Sequence, residues 1–106
     1  MSKTVITSTG NQLDSIFDRR FGRSAWFCIY DQNTNICLFQ KNKHIDAAQD
    51  AGIKVAQVMI EMDIKKVISG DFGPKAEELL DEQLIQMVIL TDEHVTIREI
   101  INRLKK

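Results

Sequence analysis

The sequence predicts an α/β fold in three layers, α/β/α, built on a mixed five-stranded sheet. Two observations carry that expectation. In the apolar run Trp26–Tyr30, Trp26, Cys28 and Tyr30 fall on one face of a strand and Phe27 and Ile29 on the other, so the sheet needs cover on both sides. Downstream, short β-rich runs alternate with segments whose apolar residues recur at three-and-four spacing, the pattern of strands joined by crossover helices.

Each element follows from local chemistry. Val5–Ser8 is a β-rich run that stops at the turn cluster Thr9-Gly10-Asn11, and reads as the first strand. From Gln12 to Ser24 the chain is a polar loop carrying Leu13, Ile16, Phe17 and Phe21 at irregular spacing. Those side chains would tack it to the body, and loops of this length in small domains are usually functional. Trp26–Tyr30 and Ile36–Phe39 flank Asp31-Gln32-Asn33-Thr34-Asn35, a stretch of turn formers, which predicts an antiparallel hairpin. Between Gly52 and Met62, Val55, Ala56, Val58, Met59 and Met62 form one buried helical stripe. Lys66–Gly70 is a short strand ending in glycine. Pro74 suits a first helical turn, and that helix runs through Ala76, Leu79 and Leu80 to about Gln83, with Glu77 and Glu78 near its positive end. Gln86–Leu90 is the last strand. Thr96-Ile97-Arg98-Glu99 is a capping box opening a terminal helix whose stripe is Ile97, Ile100, Ile101 and Leu104. The order β-β-β-α-β-α-β-α implies right-handed crossovers and parallel pairing in the second half.

Residues 1–106 read as a single domain, 43% hydrophobic and 27% charged, with no repeat or linker. The 14 basic and 15 acidic side chains leave a formal charge of −1, which gives no field for steering nucleic acid or an anionic membrane. No run approaches the roughly 18 apolar residues of a membrane span, and the N-terminal apolar run is too short for a secretory signal. Cys28 and Cys37 lie in apolar stretches, as buried free thiols of a reducing compartment would, so a cytoplasmic location is expected.

Three strand exits gather unusual residues: Ser8-Thr9-Gly10, Asp50-Ala51-Gly52 and Ser69-Gly70-Asp71-Phe72-Gly73. The last two open helices, whose free N–H groups and partial positive charge can hold an anion in the crevice beyond the strand ends. Alternatively the glycines only satisfy tight turns. The loop Asp18-Arg19-Arg20-Phe21-Gly22-Arg23-Ser24 could embrace an anion with its guanidinium forks, or be a solvated loop whose arginines pair with Asp14, Asp18 or Asp31. Metal-ligand spacing is absent: His44 and His94 are single, and the cysteines form no CxxC, though they could be neighbours across the hairpin. Core thiols are the reading favoured for them over a ligand pair. Ser8 and Ser69 have no histidine in recognisable order to act as base, and Asp71 has no partner for two-metal hydrolysis. No catalytic constellation can be assembled, so a binding protein is expected rather than an enzyme.

Ile6-Thr7-Ser8-Thr9-Gly10 with Leu13-Asp14, then Phe21-Gly22-Arg23-Ser24 and Trp26-Phe27, resembles the opening of the dinitrogenase iron–molybdenum cofactor biosynthesis family, the NifX, NafY and NifB C-terminal type of domain. Ala51-Gly52-Ile53 before Ala56-Gln57, Val67-Ile68-Ser69-Gly70 with Gly73-Pro74-Lys75-Ala76, Leu80, and Thr96-Ile97-Arg98-Glu99 continue the likeness over roughly residues 4 to 104. The resemblance implies a ribonuclease H-like fold. It also implies a carrier or scaffold for the iron–molybdenum cofactor, its precursors or another molybdenum- or iron-containing sulfide cluster, working with a cluster donor or acceptor protein. The expected pocket joins Arg20, Phe21, Gly22 and Arg23 to the backbone around Ala51, Gly52, Gly70 and Gly73, with Ser8, Thr9 and Ser69 donating hydrogen bonds beside Gly10. Arg20 stands where many members have histidine. A guanidinium offers donors only, so it would pair with sulfide or oxyanion edges instead of ligating metal. Asp50 replaces the first glycine of the usual Gly-Ala-Gly, where a carboxylate opposes an anion unless neutralised. A different class remains open, a cofactor-free interaction or regulatory module whose pocket is filled by Phe21 and Phe72. A degenerate hydrolase is a third.

Overall fold

A computed structural model describes residues 3–105. The element order is β1 (Lys3–Ser8), β2 (Trp26–Asp31), β3 (Ile36–Lys41), α1 (Ala51–Glu61), β4 (Lys66–Ser69), α2 (Pro74–Glu82), β5 (Gln86–Ile89) and α3 (Ile97–Leu104). It matches the order read from the sequence. The five strands form one mixed sheet in the order β3-β2-β1-β4-β5. The hairpin and β1 pair antiparallel, while β4 and β5 join β1 in parallel through the crossovers of α1 and α2.

Strand alternation divides the core in two. Val5, Phe27 and Val67 face α1 and α2, packing on Val55, Ala56, Met59, Ala76 and Leu80. Ile6, Cys28, Tyr30 and Ile68 face the other way and pack on Ile97, Ile100 and Ile101 of α3. Each large apolar side chain so buried contributes roughly 1.5–3 kcal/mol. Trp26, assigned to the same strand face as Cys28 and Tyr30, does not join their cluster. It opens β2 opposite Ser8 and Lys41, at the end of the sheet, and stays half-buried outside both clusters. Among the described residues no helix is long and apolar enough to cross a membrane.

The loop between β1 and β2 decides where a ligand could reach. It is stitched down by backbone hydrogen bonds: the Asp18 amide donates to Thr7 (3.0 Å), Phe17 to Val95 (2.8 Å), Gly70 to Arg19 (3.1 Å) and Phe21 to Asp71 (3.2 Å). It therefore crosses in front of the C-terminal ends of β1 and β4. Phe17 and Phe21 are buried beneath it, as tacking residues would be. A side chain at Gly70 would come within 2.8 Å of the Arg19 carbonyl oxygen, so this crossing requires glycine.

Candidate functional site

Where the loop leaves the sheet it meets the first turns of α1 and α2. Residues 20–23, 50–53 and 71–76 enclose an open crevice of about 530 Å³. Its floor is apolar: the Phe21 and Phe72 rings lie 5.0 Å apart at 40°, an ordinary tilted aromatic pair, and both side chains are buried. Gly22 lets the arginine turn touch α1, since a Cβ there would sit 2.7 Å from the Gly52 amide nitrogen. Gly73, at φ 81°, turns the chain into α2 with open space around it, a conformation side-chain-bearing residues rarely adopt.

Both helices begin without a side-chain cap. In α1 the first backbone bond runs from Lys54 to Asp50, so the amides of Ala51, Gly52 and Ile53 have no acceptor among the described residues. In α2 Pro74 has no N–H, the first bond runs from Glu77 to Gly73, and the Lys75 and Ala76 amides are equally unsatisfied. Two positive helix ends thus open on one crevice.

The charged groups are less free than their sequence spacing suggests. Arg20 is clamped by Asp18, with Nε donating to Oδ1 and Nη2 to Oδ2, each at 3.1 Å, and the Asp18 carboxylate also accepts from the Arg20 amide at 3.0 Å. That hydrogen bonding, then the charge of Asp18, raises the Arg20 pKa above its ordinary value. Asp18 is only 5% exposed, so the pair is a built feature whose two charges largely cancel. Arg23 donates from Nη1 to the carbonyls of Ile45 (2.9 Å) and Ala47 (2.6 Å), and no carboxylate among the described residues pairs with it. Lys75 adds a second cation, while Asp50 and Asp71 line the same crevice. Formal charge is therefore close to balanced, and the positive bias comes from the aligned amides.

The structure brings Arg20, Phe21, Gly22, Arg23, Ala51, Gly52 and Gly73 together as the sequence predicts. It does not bring Ser8, Thr9, Gly10, Ser69 or Gly70 to the crevice wall, and their expected role needs correction. Ser8 Oγ donates to the Gly10 carbonyl (2.7 Å), Thr9 Oγ1 donates to Ile16 (2.8 Å), and Ser69 Oγ accepts from Thr7 Oγ1 (2.8 Å). The physical reason is that the loop crosses in front of the strand ends and takes up the Ser8 and Thr9 hydroxyls, while Ser69 is held by Thr7 of the neighbouring strand. Sequence reasoning missed Ile53, Lys75 and Ala76 as wall residues. Pro74 was the available signal, because a proline at the first helical position marks the next two amides as unpaired. Phe21 and Phe72 line the crevice without filling it. Cys28 and Cys37 belong to the opposite face of the sheet.

Comparison with curated proteins finds no match. Among solved structures, the apo form of the orange protein from Desulfovibrio gigas is 31% identical, with a TM-score of 0.87 over 98% of this chain and 87% of that one. A putative NifB protein from Thermotoga is 27% identical, with a TM-score of 0.81 and the same coverage of 98% and 87%. The family model for dinitrogenase iron–molybdenum cofactor matches residues 2–106, and the chain belongs to that family.

Proposed function

We propose that this protein is a non-catalytic carrier for an anionic metal–sulfide cluster, of the iron–molybdenum cofactor type or another molybdenum-containing kind, held in the crevice between the starts of α1 and α2. The observation that carries the reading is the convergence of unsatisfied amides at Ala51, Gly52, Ile53, Lys75 and Ala76 over an aromatic floor. A sulfide cluster spreads its negative charge over a large, polarisable surface. It therefore suits apolar contact below and amide donors at the rim better than a small, strongly hydrated anion does. No cysteine or histidine lines the crevice, so the chain would grip the outer sulfides by hydrogen bonds and leave the metals to their own ligands.

In this reading Arg23, which no carboxylate among the described residues pairs with, adds a cation to the amides, and Arg20, fixed by Asp18, presents its remaining N–H groups as an oriented donor. Membership of the family and the likeness to a protein described in an apo form both support a cargo-binding role. A cluster donor or acceptor protein, a cytoplasmic location and the ribonuclease H-like description of the fold belong to the same proposal. The crevice volume of about 530 Å³ favours a bound guest over a module whose pocket is filled by its own phenylalanines.

The test is to mix the purified protein anaerobically with tetrathiomolybdate, with and without copper, and follow visible absorption retained through desalting. Retained colour that weakens about tenfold or more on Arg23→Ala is the expected result, since a hydrogen bond to a charged group contributes about 1.5–3 kcal/mol. No retained colour in either protein would overturn the proposal.

A further inference from the structure

The two edges of the sheet are built differently. β5 has only 4 residues, and a short edge offers little to pair with. β3 has 6 residues in unbroken register with β2, with no proline, no bulge and no charged side chain before Lys41 at its end. It therefore lacks the devices that keep an edge strand unpaired. On the α1 side of the sheet Ile36 and Leu38 are 55% and 62% exposed, and no β3 residue joins the core cluster there. The backbone of β3 is open as well. The Asn42 amide donates to the Ala25 carbonyl at 3.0 Å, one step beyond the Trp26–Lys41 pair. Hydrogen bonds alternate along an antiparallel ladder, so Leu38 and Gln40 turn their amides and carbonyls to β2, while Cys37 and Phe39 turn theirs outward. Among the described residues no other element takes these groups up.

We propose that β3 is the surface by which two copies of this chain pair, edge to edge and antiparallel, about a two-fold axis at Leu38. In that register the strand is complementary to itself. Cys37 of each copy stands opposite the partner's Phe39, and these are the residues with outward amides and carbonyls, so each such pair exchanges both of its hydrogen bonds. Leu38 meets the partner's Leu38 on the axis and Ile36 lies diagonal to it, which removes the exposed apolar side chains of both copies from water. Centring on Cys37 would set Phe39 against Asn35 of the turn, and centring on Phe39 would part the leucines. Charge favours the antiparallel sense. Lys41 and Lys43 stand at one end of β3 and Asp31 of β2 at the other, so the two-fold pair sets each copy's lysine end beside the other's Asp31 end. A parallel pair would align the lysines. One strand from each copy is a small contact beside the about 1,200 Å² or more of stable complexes, so the dimer forms reversibly. No β3 residue lines the crevice, and the pairing is independent of cargo.

The experiment is sedimentation equilibrium of the full chain, under reducing conditions, from micromolar to millimolar concentration. A reversible monomer–dimer equilibrium is expected. Leu38→Lys opposes two ammonium groups on the axis and should weaken the dimer about tenfold or more. Its thermal midpoint at low concentration should not move, because Leu38 is already exposed in the single chain. Ile89→Lys, on the opposite edge, should leave the equilibrium unchanged. In a Cys37→Ser background, Leu38→Cys should cross-link on mild oxidation and Ile36→Cys should not, since only position 38 meets itself across the axis. A monomer at every concentration, which would leave the edge to a different protein, overturns the proposal. So does a dimer indifferent to Leu38→Lys, an assembly that grows past the dimer, or cross-linking at Ile36→Cys in place of Leu38→Cys.

Discussion

The helices of this protein begin in two contrasting ways. At α3 the Thr96 hydroxyl accepts from the Glu99 amide at 3.1 Å and the Glu99 carboxylate accepts from the Thr96 amide at 3.4 Å, a completed capping box. At α1 and α2 no side chain caps the helix, and the residues preceding them, Asp50 and Gly73, both have positive φ. A helix of eight residues holding down one whole face of the sheet depends on its cap for stability. The two helices on the other face pack against each other and the sheet firmly enough to leave their starts bare. The difference teaches where the fold keeps donor capacity in reserve: of the three helix starts, the two without a side-chain cap are the two that border the crevice.

The contrast can be tested from both sides, and the closed face gives the largest effect. Burial raises the Cys28 thiol from its ordinary 9.0 to about 12. The folded state then holds this proton more tightly than the unfolded state, so the contribution is present below pH 9 and is lost as pH rises through 9 towards 12. The expected slope is about 1 kcal/mol per pH unit in that window, seen as the difference between wild type and Cys28→Ala in urea denaturation. Next comes Gly22→Ala on the open face. Its methyl would press on the first turn of α1, costing about 1–3 kcal/mol in denaturation and abolishing retained tetrathiomolybdate. Thr96→Ala should cost about 1 kcal/mol, read from the thermal midpoint, with tetrathiomolybdate binding unchanged. The smallest effect is expected for Asp50→Gly. It relieves a side chain held at φ 60° and removes a carboxylate from the crevice, so stability should hold or rise by up to about 1 kcal/mol while anion affinity increases severalfold. A fall in affinity for Asp50→Gly would mean that Asp50 serves as a contact and not as an opposing charge.

The architecture was legible because it rests on local periodicity. The strand alternation at Phe27 and Cys28, the proline at 74 and the capping box at 96–99 each specify their element without tertiary information. The site was legible in part. Glycine and proline punctuation located both helix starts, and Gly22 and Gly73 proved to be positions where backbone geometry demands glycine. The hydroxyls of Ser8, Thr9 and Ser69 lie off the crevice because a strand-end hydroxyl can serve a ligand, a neighbouring loop or a neighbouring strand: Ser8 and Thr9 serve the loop, and Ser69 is taken by Thr7 of β1. Arg20 shows the same ambiguity: its sequence neighbour Asp18 was a candidate partner, but nothing local shows that this carboxylate is buried and clamps the fork on both sides. The free amides of both helix starts were legible as a class, and Pro74 marked those of α2, but no residue type at α1 shows that a side-chain cap is missing.

The most direct measurement is an amide-resolved NMR titration of the ¹⁵N-labelled protein with tetrathiomolybdate. Saturable shifts are expected at Ala51, Gly52, Ile53, Lys75 and Ala76, with Ile97, Arg98 and Glu99 unmoved. Shifts centred instead on Ser8–Gly10 or on the start of α3, or none at all, would contradict an anion site at the two bare helix starts.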